Sequence, residues 1–365
     1  MTNRQRFQAA MRFEPTDRPC HVEYGFWPET FARWKNEGLA ESIVEPGFGN
    51  VSEPNDLFAH FGIAKFGYIL LDQFYFPPFP TEVLEETDDF RVIRNGMGIT
   101  QRENKRNVSM PQFLDYPIKS MQDYQLLRER LRGAVEQRYP ADWGTLAANL
   151  RQQTHTPFST HMHGPFAYLR DLMGLEAMLV MFYDDPDLMK LIIADRVAAN
   201  MALYERAIRD TQPDFAFIWE DMCFKNGPLV SPAIFREFML PAYKQLTGFL
   251  KDLGVEVVLV DSDGDVRQLI PLWLEGGVTG LLPFEVRAGM DVREIRKNFP
   301  KLQIIGGIEK HKLEQTPQDI DEELNRILPQ LLARGGYCVA LDHWVHSDIP
   351  LKNFAYYVEK IKTFA

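Results

Sequence analysis

Val255-Glu256-Val257-Val258-Leu259-Val260-Asp261-Ser262-Asp263-Gly264-Asp265 is the stretch from which the fold can be read. It begins as an apolar, β-branched run, the pattern of a strand buried on both faces. It ends in three carboxylates, a hydroxyl and a glycine. Bare carboxylates are costly to bury, so they belong at the open end of the strand, within reach of water, a metal or a substrate. Alternation puts Asp261 and Asp263 on one side of the strand. Two carboxylates held that close suit a shared cation or a pair with split proton affinities. The plainer alternative is a polar strand-to-helix turn, with Asp263 or Asp265 as a helix cap.

Similar runs recur on both sides of this stretch. Residues 158–164, 214–221, 278–285, 302–309 and 336–343 are each short and apolar and end in polar residues. Helical sequence separates most of them: through Asp171 and Met181, from Ser231-Pro232 as N-cap and first helical position, and through Leu269 and Trp273. Strands alternating with helices at this spacing mean parallel βαβ units. Residues 20–25 add a seventh strand, and one more closes a single-domain (β/α)8 barrel over residues 1–365, an α/β fold. Residues 3–13 and 27–38 read as helices, 50–56 as a loop, 82–110 as a hairpin excursion and 120–153 as helical. The aromatic cluster from Phe66 to Pro80 is cut by prolines and is poor helix material. It forms either packing under a loop or the wall of a pocket for a flat ligand.

Bulk properties narrow the function. A formal net charge of -11 argues against a general nucleic-acid binder and against binding to an anionic membrane surface. Cys20, Cys223 and Cys338 are far apart and suggest no disulfide framework, which fits a reducing cytoplasm. No run is long enough to span a bilayer, and the N-terminus lacks the apolar core of a signal peptide. A homodimer is left open.

In parallel barrels the active site lies at the C-terminal ends of the strands. Here those ends carry His161 and His163, Glu220 and Asp221, Asp261 and Asp263, Glu285, Glu309, and Asp342 with His343. Six polar strand ends in succession exceed what turn chemistry requires. Asp261, Asp263 and His343 offer two hard oxygens and an imidazole, a set for Zn²⁺, Mn²⁺ or Fe²⁺, with Glu220 or Glu285 as a fourth ligand. Without a metal, the same carboxylates and His343 would act as general acid and base on a substrate held by aromatic walls. Tyr68, Phe76, Trp219, His163 and Glu285 are the candidate substrate-binding residues. His346, Cys223 and Cys338 read as structural. Gly306-Gly307 is not a nucleotide fingerprint and instead permits a close approach of backbone or ligand.

Assembled in order, these features resemble the uroporphyrinogen decarboxylase superfamily. The matching residues are Arg4-x-Arg6-Phe7 with Asp17-Arg18-Pro19, Gly164-Pro165-Phe166, and Glu220-Asp221 with Ser231-Pro232 and Phe235-x-x-Phe238-x-x-Pro241. The Asp261-Ser262-Asp263-Gly264 strand end, Gly306-Gly307-Ile308, and Leu341-Asp342-His343 with Pro350 and Asn353 complete the set. The resemblance implies a (β/α)8 barrel and one of two chemistries. True decarboxylases hold a tetrapyrrole's carboxylates with an arginine-rich segment after the first strand. Gly25-Phe26-Trp27-Pro28-Glu29-Thr30 stands there instead. Asp72 and His343 match two decarboxylase positions. The other branch, the cobalamin-dependent methyltransferases, binds zinc through a His-x-Cys strand end and a later Cys. Asp261-x-Asp263 and His343 occupy those positions here. The resemblance therefore implies a divalent metal, zinc first, at Asp261, Asp263 and His343, with Glu220 or Glu285 assisting. It also implies a corrinoid (cobalamin) carried by a partner protein. Carboxylates in place of thiolates point to an O- or N-methyl compound rather than a thiol. The alternatives are a cofactor-free carboxy-lyase using Asp72 and His343, and a barrel that binds a tetrapyrrole or corrinoid without turnover.

Overall fold

The computed structural model describes residues 1–45, 56–106 and 110–364. The expected loop at 50–56 lies outside them except for Asp56, which caps the helix Leu57–Phe61. Seven parallel strands form the main sheet: β1 Gly67–Ile69, β2 Phe158–His163, β3 Phe215–Trp219, β4 Val258–Asp261, β5 Gly280–Leu282, β6 Gln303–Ile305 and β7 Tyr337–Cys338. They neighbour one another in sequence order. Helices follow most of them, among them Pro186–Thr211 before β3, Leu240–Asp252 before β4, Pro317–Leu332 before β7 and Leu351–Ile361 after it. The result is a curled α/β half-barrel. No helix among the described residues is long and apolar enough to cross a membrane.

The two sheet edges are not left bare. Val22 N donates to Val339 O at 3.0 Å, and Glu23 N donates to Ala64 O at 3.2 Å. Residues 20–25, expected as a full strand, therefore make isolated parallel bridges to the chain beyond β7 and before β1. The strand that sequence reading left out is β1. Its three residues sit inside the aromatic cluster, where short length and nearby prolines hide a strand pattern. Glycine and proline also break the helix expected over 120–153. It becomes Met121–Arg132, a 3-10 turn Val135–Arg138 and Trp143–Gln152. The 82–110 excursion is a four-stranded antiparallel sheet of Glu82–Glu86, Phe90–Arg94, Thr100–Asn104 and Gln112–Asp115.

Side-chain parity sets what each strand face does. Phe215, Phe217, Val257, Leu259, Leu282, Ile305 and Cys338 pack into one inner cluster, joined by Phe7 and Met11 of the N-terminal helix Asn3–Met11. Ala216, Ile218, Val258, Val260, Leu281 and Ile304 belong to the outer cluster packed against helices. Burial of both faces explains why these strands read as continuous apolar runs. Cys20, Cys223 and Cys338 are buried and unpaired by disulfides.

Gly306-Gly307 provides the close approach expected of it. At Gly306 φ is +105°, and a Cβ would lie 2.1 Å from Pro283 O and 2.7 Å from the Tyr24 hydroxyl. Backbone oxygen cannot move aside cheaply. Gly306→Ala is expected to cost about 2–3 kcal/mol through strain and clash. Urea unfolding measures it, and an unchanged midpoint would contradict this packing.

Candidate active site

Inward-facing positions at the C-terminal strand ends meet in one cavity of about 320 Å³. Asp221, Asp261 and Asp263 form its acidic side. His161, His163 and His343 supply imidazoles, and Tyr24, Tyr68, Phe217, Trp219 and Trp344 supply aromatic walls. Alternation builds this set. Trp219 continues the inner row of Phe215 and Phe217, and Asp261 continues that of Val257 and Leu259. The strand register then aligns His163 and Asp261 with Trp219.

The carboxylates crowd one another. Burial and the charges of Asp221, Asp263 and Glu285 hold the Asp261 carboxyl well above the usual range. Asp221 is pushed up by burial and Asp263, against the pull of Arg170. None of the described residues lining the cavity is lysine or arginine. Arg170 stands behind the lining, 4.7 Å from the Trp219 ring centroid, and donates to Asp221 O at 3.0 Å. Asp221 holds a left-handed φ of +47°. Burial lowers His161 to about 4 and takes His163 well below the usual imidazole range, so both rings are neutral near pH 7. His161 stacks on Phe217, and His163 meets Trp219 edge-on with ring centroids 5.0 Å apart. Burial and Asp261 hold the Tyr24 and Tyr68 hydroxyls protonated.

The expected ligand set of Asp261, Asp263 and His343 suits a divalent cation in charge but not in shape. A shared ion needs ligand atoms within one coordination shell. The one His/Cys/Asp/Glu group of three or more among the described residues whose ligand atoms all lie within 4.8 Å of one another is a different one. His343 Nε2 is 3.5 Å from Asp263 Oδ2. The Trp344 N–H donates to His343 Nδ1 at 2.8 Å. The neutral ring therefore carries its proton on Nε2, facing Asp263, where a metal would need a lone pair. As arranged, His343 is a proton donor toward Asp263.

Of the expected site residues, the structure brings Asp261, Asp263, His343, Tyr68, His163 and Trp219 to the cavity lining and sets Glu285, Glu220, Asp72 and Phe76 outside it. Glu285 accepts from Gly264 N at 2.9 Å and lies near enough to Asp263 for burial and that charge to raise its carboxyl. Glu220 points outward, as parity after the inward Trp219 requires. It is fully buried, accepts from Ala167 N at 2.9 Å and from the Tyr243 hydroxyl, and so anchors the helix Pro165–Met173. Asp72 is exposed at its side chain, accepts from Phe74 N at 3.1 Å and faces Arg138 at 3.9 Å. Phe76 precedes Pro77 and lies under the Arg138 guanidinium. Asp342 accepts from Val286 N and Lys310 N, tying the loops after β5 and β6 together. The sequence reading assigned no role to Tyr24, Phe217 or Trp344 and noted Asp221 only as a strand-end carboxylate. Counting inward positions along β3 would have found Phe217 and Asp221.

Burial pushes the Glu220 carboxyl up to about 7. An acid whose folded pKa is raised contributes stability that is full below its unfolded value and lost as pH rises through about 7. His161 and His163, depressed by burial, act in the opposite sense, so the total slope is a poor probe. The difference between wild type and Glu220→Gln isolates the group. Wild type is expected to lose about 1 kcal/mol relative to that variant between pH 6 and pH 8. Parallel stability curves for the two proteins would rule out the titration.

Among solved structures, a methyltransferase from Methanosarcina mazei shares the fold. The match covers 100% of this chain and 99% of that one, with 16% identity and a TM-score of 0.57. A vitamin-B12-independent methionine synthase candidate from Listeria monocytogenes gives a partial match, over 57% of this chain and 64% of that one, at 14% identity and a TM-score of 0.32. No curated protein matches the sequence. The family profile described as uroporphyrinogen decarboxylase (URO-D) matches residues 87–364, from the antiparallel sheet through the last helix, and the chain belongs to that family.

Proposed function

We propose that the protein is a methyltransferase or demethylase of its family. It takes a methyl group from a small O- or N-methyl compound and passes it to a corrinoid carried by a partner protein. The observation that carries this reading is the convergence of Asp221, Asp261 and Asp263 in an aromatic-walled cavity with no lysine or arginine among the described residues of its lining. Carboxylates and aromatic faces together favour a cationic group. Among methyl donors, a methylammonium compound suits this lining best. The cavity volume of about 320 Å³ is that of a small-molecule site.

In this reading Trp219, Tyr68 and Trp344 hold the donor, and the three carboxylates balance its charge. For an O-methyl donor the leaving oxygen needs a proton, and His343 Nε2–H is placed to give it, with Asp263 orienting the ring. When docked, the corrinoid supplies the methyl acceptor. The divalent metal, zinc first, that the resemblance assigns to Asp261, Asp263 and His343 does not fit these residues as arranged, and no step is routed through it. The barrel reading, one (β/α)8 unit over residues 1–365, draws its support from the bonds that residues 20–25 make to both sheet edges. The carboxy-lyase alternative draws less support. A polycarboxylate would meet three carboxylates with no lysine or arginine among the described lining residues, and Asp72 stands away from the cavity.

The test is incubation of purified protein with cob(I)alamin and a panel of methylated amines and methoxylated aromatics, followed by the methylcobalamin spectrum. Methylation from at least one donor is the expected result. No methyl transfer from any of them would sink the reading.

A further inference from the structure

A second cluster of side chains lies outside the cavity lining. His311 and Glu314 sit on the 3-10 turn Lys310–Glu314, which follows β6. His346 sits on the loop after β7, three positions beyond His343. Each offers one ligand atom, and the three atoms lie within 4.8 Å of one another. His311 Nδ1 is hydrogen-bonded to Glu314 Oε1, the same oxygen that lies 3.4 Å from His346 Nε2. The two imidazole ring centroids are 5.2 Å apart.

Two features go beyond an ordinary surface network. His346 Nε2 is buried and has no hydrogen-bond partner, although it points into a polar cluster. Buried polar atoms are normally satisfied. The three side chains are also partly open, at 23%, 24% and 19% exposure, so an ion can enter from solvent and keep a water as a further ligand. On the other side of the His346 ring, the Asp348 N–H donates to Nδ1 at 3.3 Å, and Asp348 Oδ2 lies 3.6 Å from the same atom. Zinc at Nε2 requires the ring proton to move to Nδ1, which gives up the long Asp348 N–H bond and turns that proton toward the Asp348 carboxylate, the usual kind of outer partner of a metal-bound histidine. The corresponding bond at cavity residue His343, from the Trp344 N–H to Nδ1, is shorter at 2.8 Å and so costs more to give up.

Two imidazoles and one carboxylate form a zinc donor set; calcium and magnesium prefer oxygen throughout. We propose that His311, Glu314 and His346 bind a zinc ion that ties the turn after β6 to the loop carrying His343 and Trp344. The tie reinforces one already present, since Asp342 in the β7 loop accepts from Lys310 N at 3.1 Å. Its role is to hold two lining residues in place rather than to touch substrate.

The experiment is a calorimetric zinc titration of the metal-stripped full-length protein, with thermal unfolding measured in parallel. Wild type is expected to take up one equivalent at micromolar affinity or better and to melt higher with zinc. His311→Ala/His346→Ala should lose that equivalent and the zinc-dependent rise while melting like the stripped wild type. Glu314→Gln, which keeps shape and fold, should weaken uptake about tenfold or more. Asp261→Ala/Asp263→Ala should keep both the equivalent and the rise, which separates this site from the cavity whatever methyl transfer does. Absence of uptake by wild type, or undiminished uptake by the double histidine variant, would overturn the proposal.

Discussion

Glu220→Ala should unfold at markedly lower denaturant than wild type, with a loss of about 4 kcal/mol. The size follows from what the carboxyl touches. Glu220 is fully buried. Ala167 N, near the start of the helix Pro165–Met173, donates to it at 2.9 Å, and the Tyr243 hydroxyl donates to its other oxygen. Truncation leaves both donors buried and unpaired, each costing about 1–3 kcal/mol. It also opens a void, because Gly164 has no side chain to fill the space. A Cβ there would lie 2.2 Å from Glu220 Cδ, so the glycine and the carboxyl interlock. Glu220→Gln keeps the shape. Its amide oxygen can accept from Ala167 N while its amide nitrogen donates to the Tyr243 oxygen, and a cost of about 1 kcal/mol or less is expected at pH 6. Urea unfolding of the three proteins gives the comparison. An alanine variant within 1 kcal/mol of wild type would show that this helix does not depend on Glu220.

The same residue shows where sequence was informative. Glu220 and Asp221 are adjacent carboxylates at one strand end, and composition alone makes them equal candidates for the site. Parity separates them: Phe217 and Trp219 face inward, so the outward turn at Glu220 was legible while its partners Tyr243 and Ala167 were not. Asp261 and Asp263 were legible for the same reason, because a long apolar run fixes their face before the polar residues begin. β1 was hidden because three residues carry too little periodicity, and its aromatic neighbours suit packing equally well. The antiparallel sheet after it was read as a hairpin because alternation locates strands but does not count them. Tyr24 and Trp344 reach the cavity from loops, where no period exists to orient them. His311, Glu314 and His346 come together across two loops more than thirty positions apart in sequence, a juxtaposition that only the folded chain provides.

Asp261→Asn should lose roughly 1,000-fold in methyl transfer while gaining stability at pH 8. The two halves of this expectation have one cause. Asp261 is held among Asp221, Asp263 and Glu285 with no lysine or arginine among the described lining residues, so its charge is costly by itself and useful only when a positive group is bound. Its carboxyl is raised above the unfolded value, so its ionisation opposes folding increasingly as pH rises. The amide removes that penalty, and a gain of about 1 kcal/mol is the usual scale for relieving an active-site conflict. The loss of activity follows because a neutral amide no longer balances the donor's charge, and preorganised charge of this kind accounts for about 100- to 1,000-fold in rate per group. Asp263→Asn removes a neighbouring charge and also the acceptor facing His343, so for an O-methyl donor it should lower kcat more than it raises KM. The paired measurement is donor turnover with cob(I)alamin beside urea unfolding at pH 8. An Asp261→Asn protein both inactive and less stable by more than 1 kcal/mol would mean that the carboxylate is part of the scaffold. One that is active at the wild-type rate would move the cation-binding role to Asp221 and Asp263.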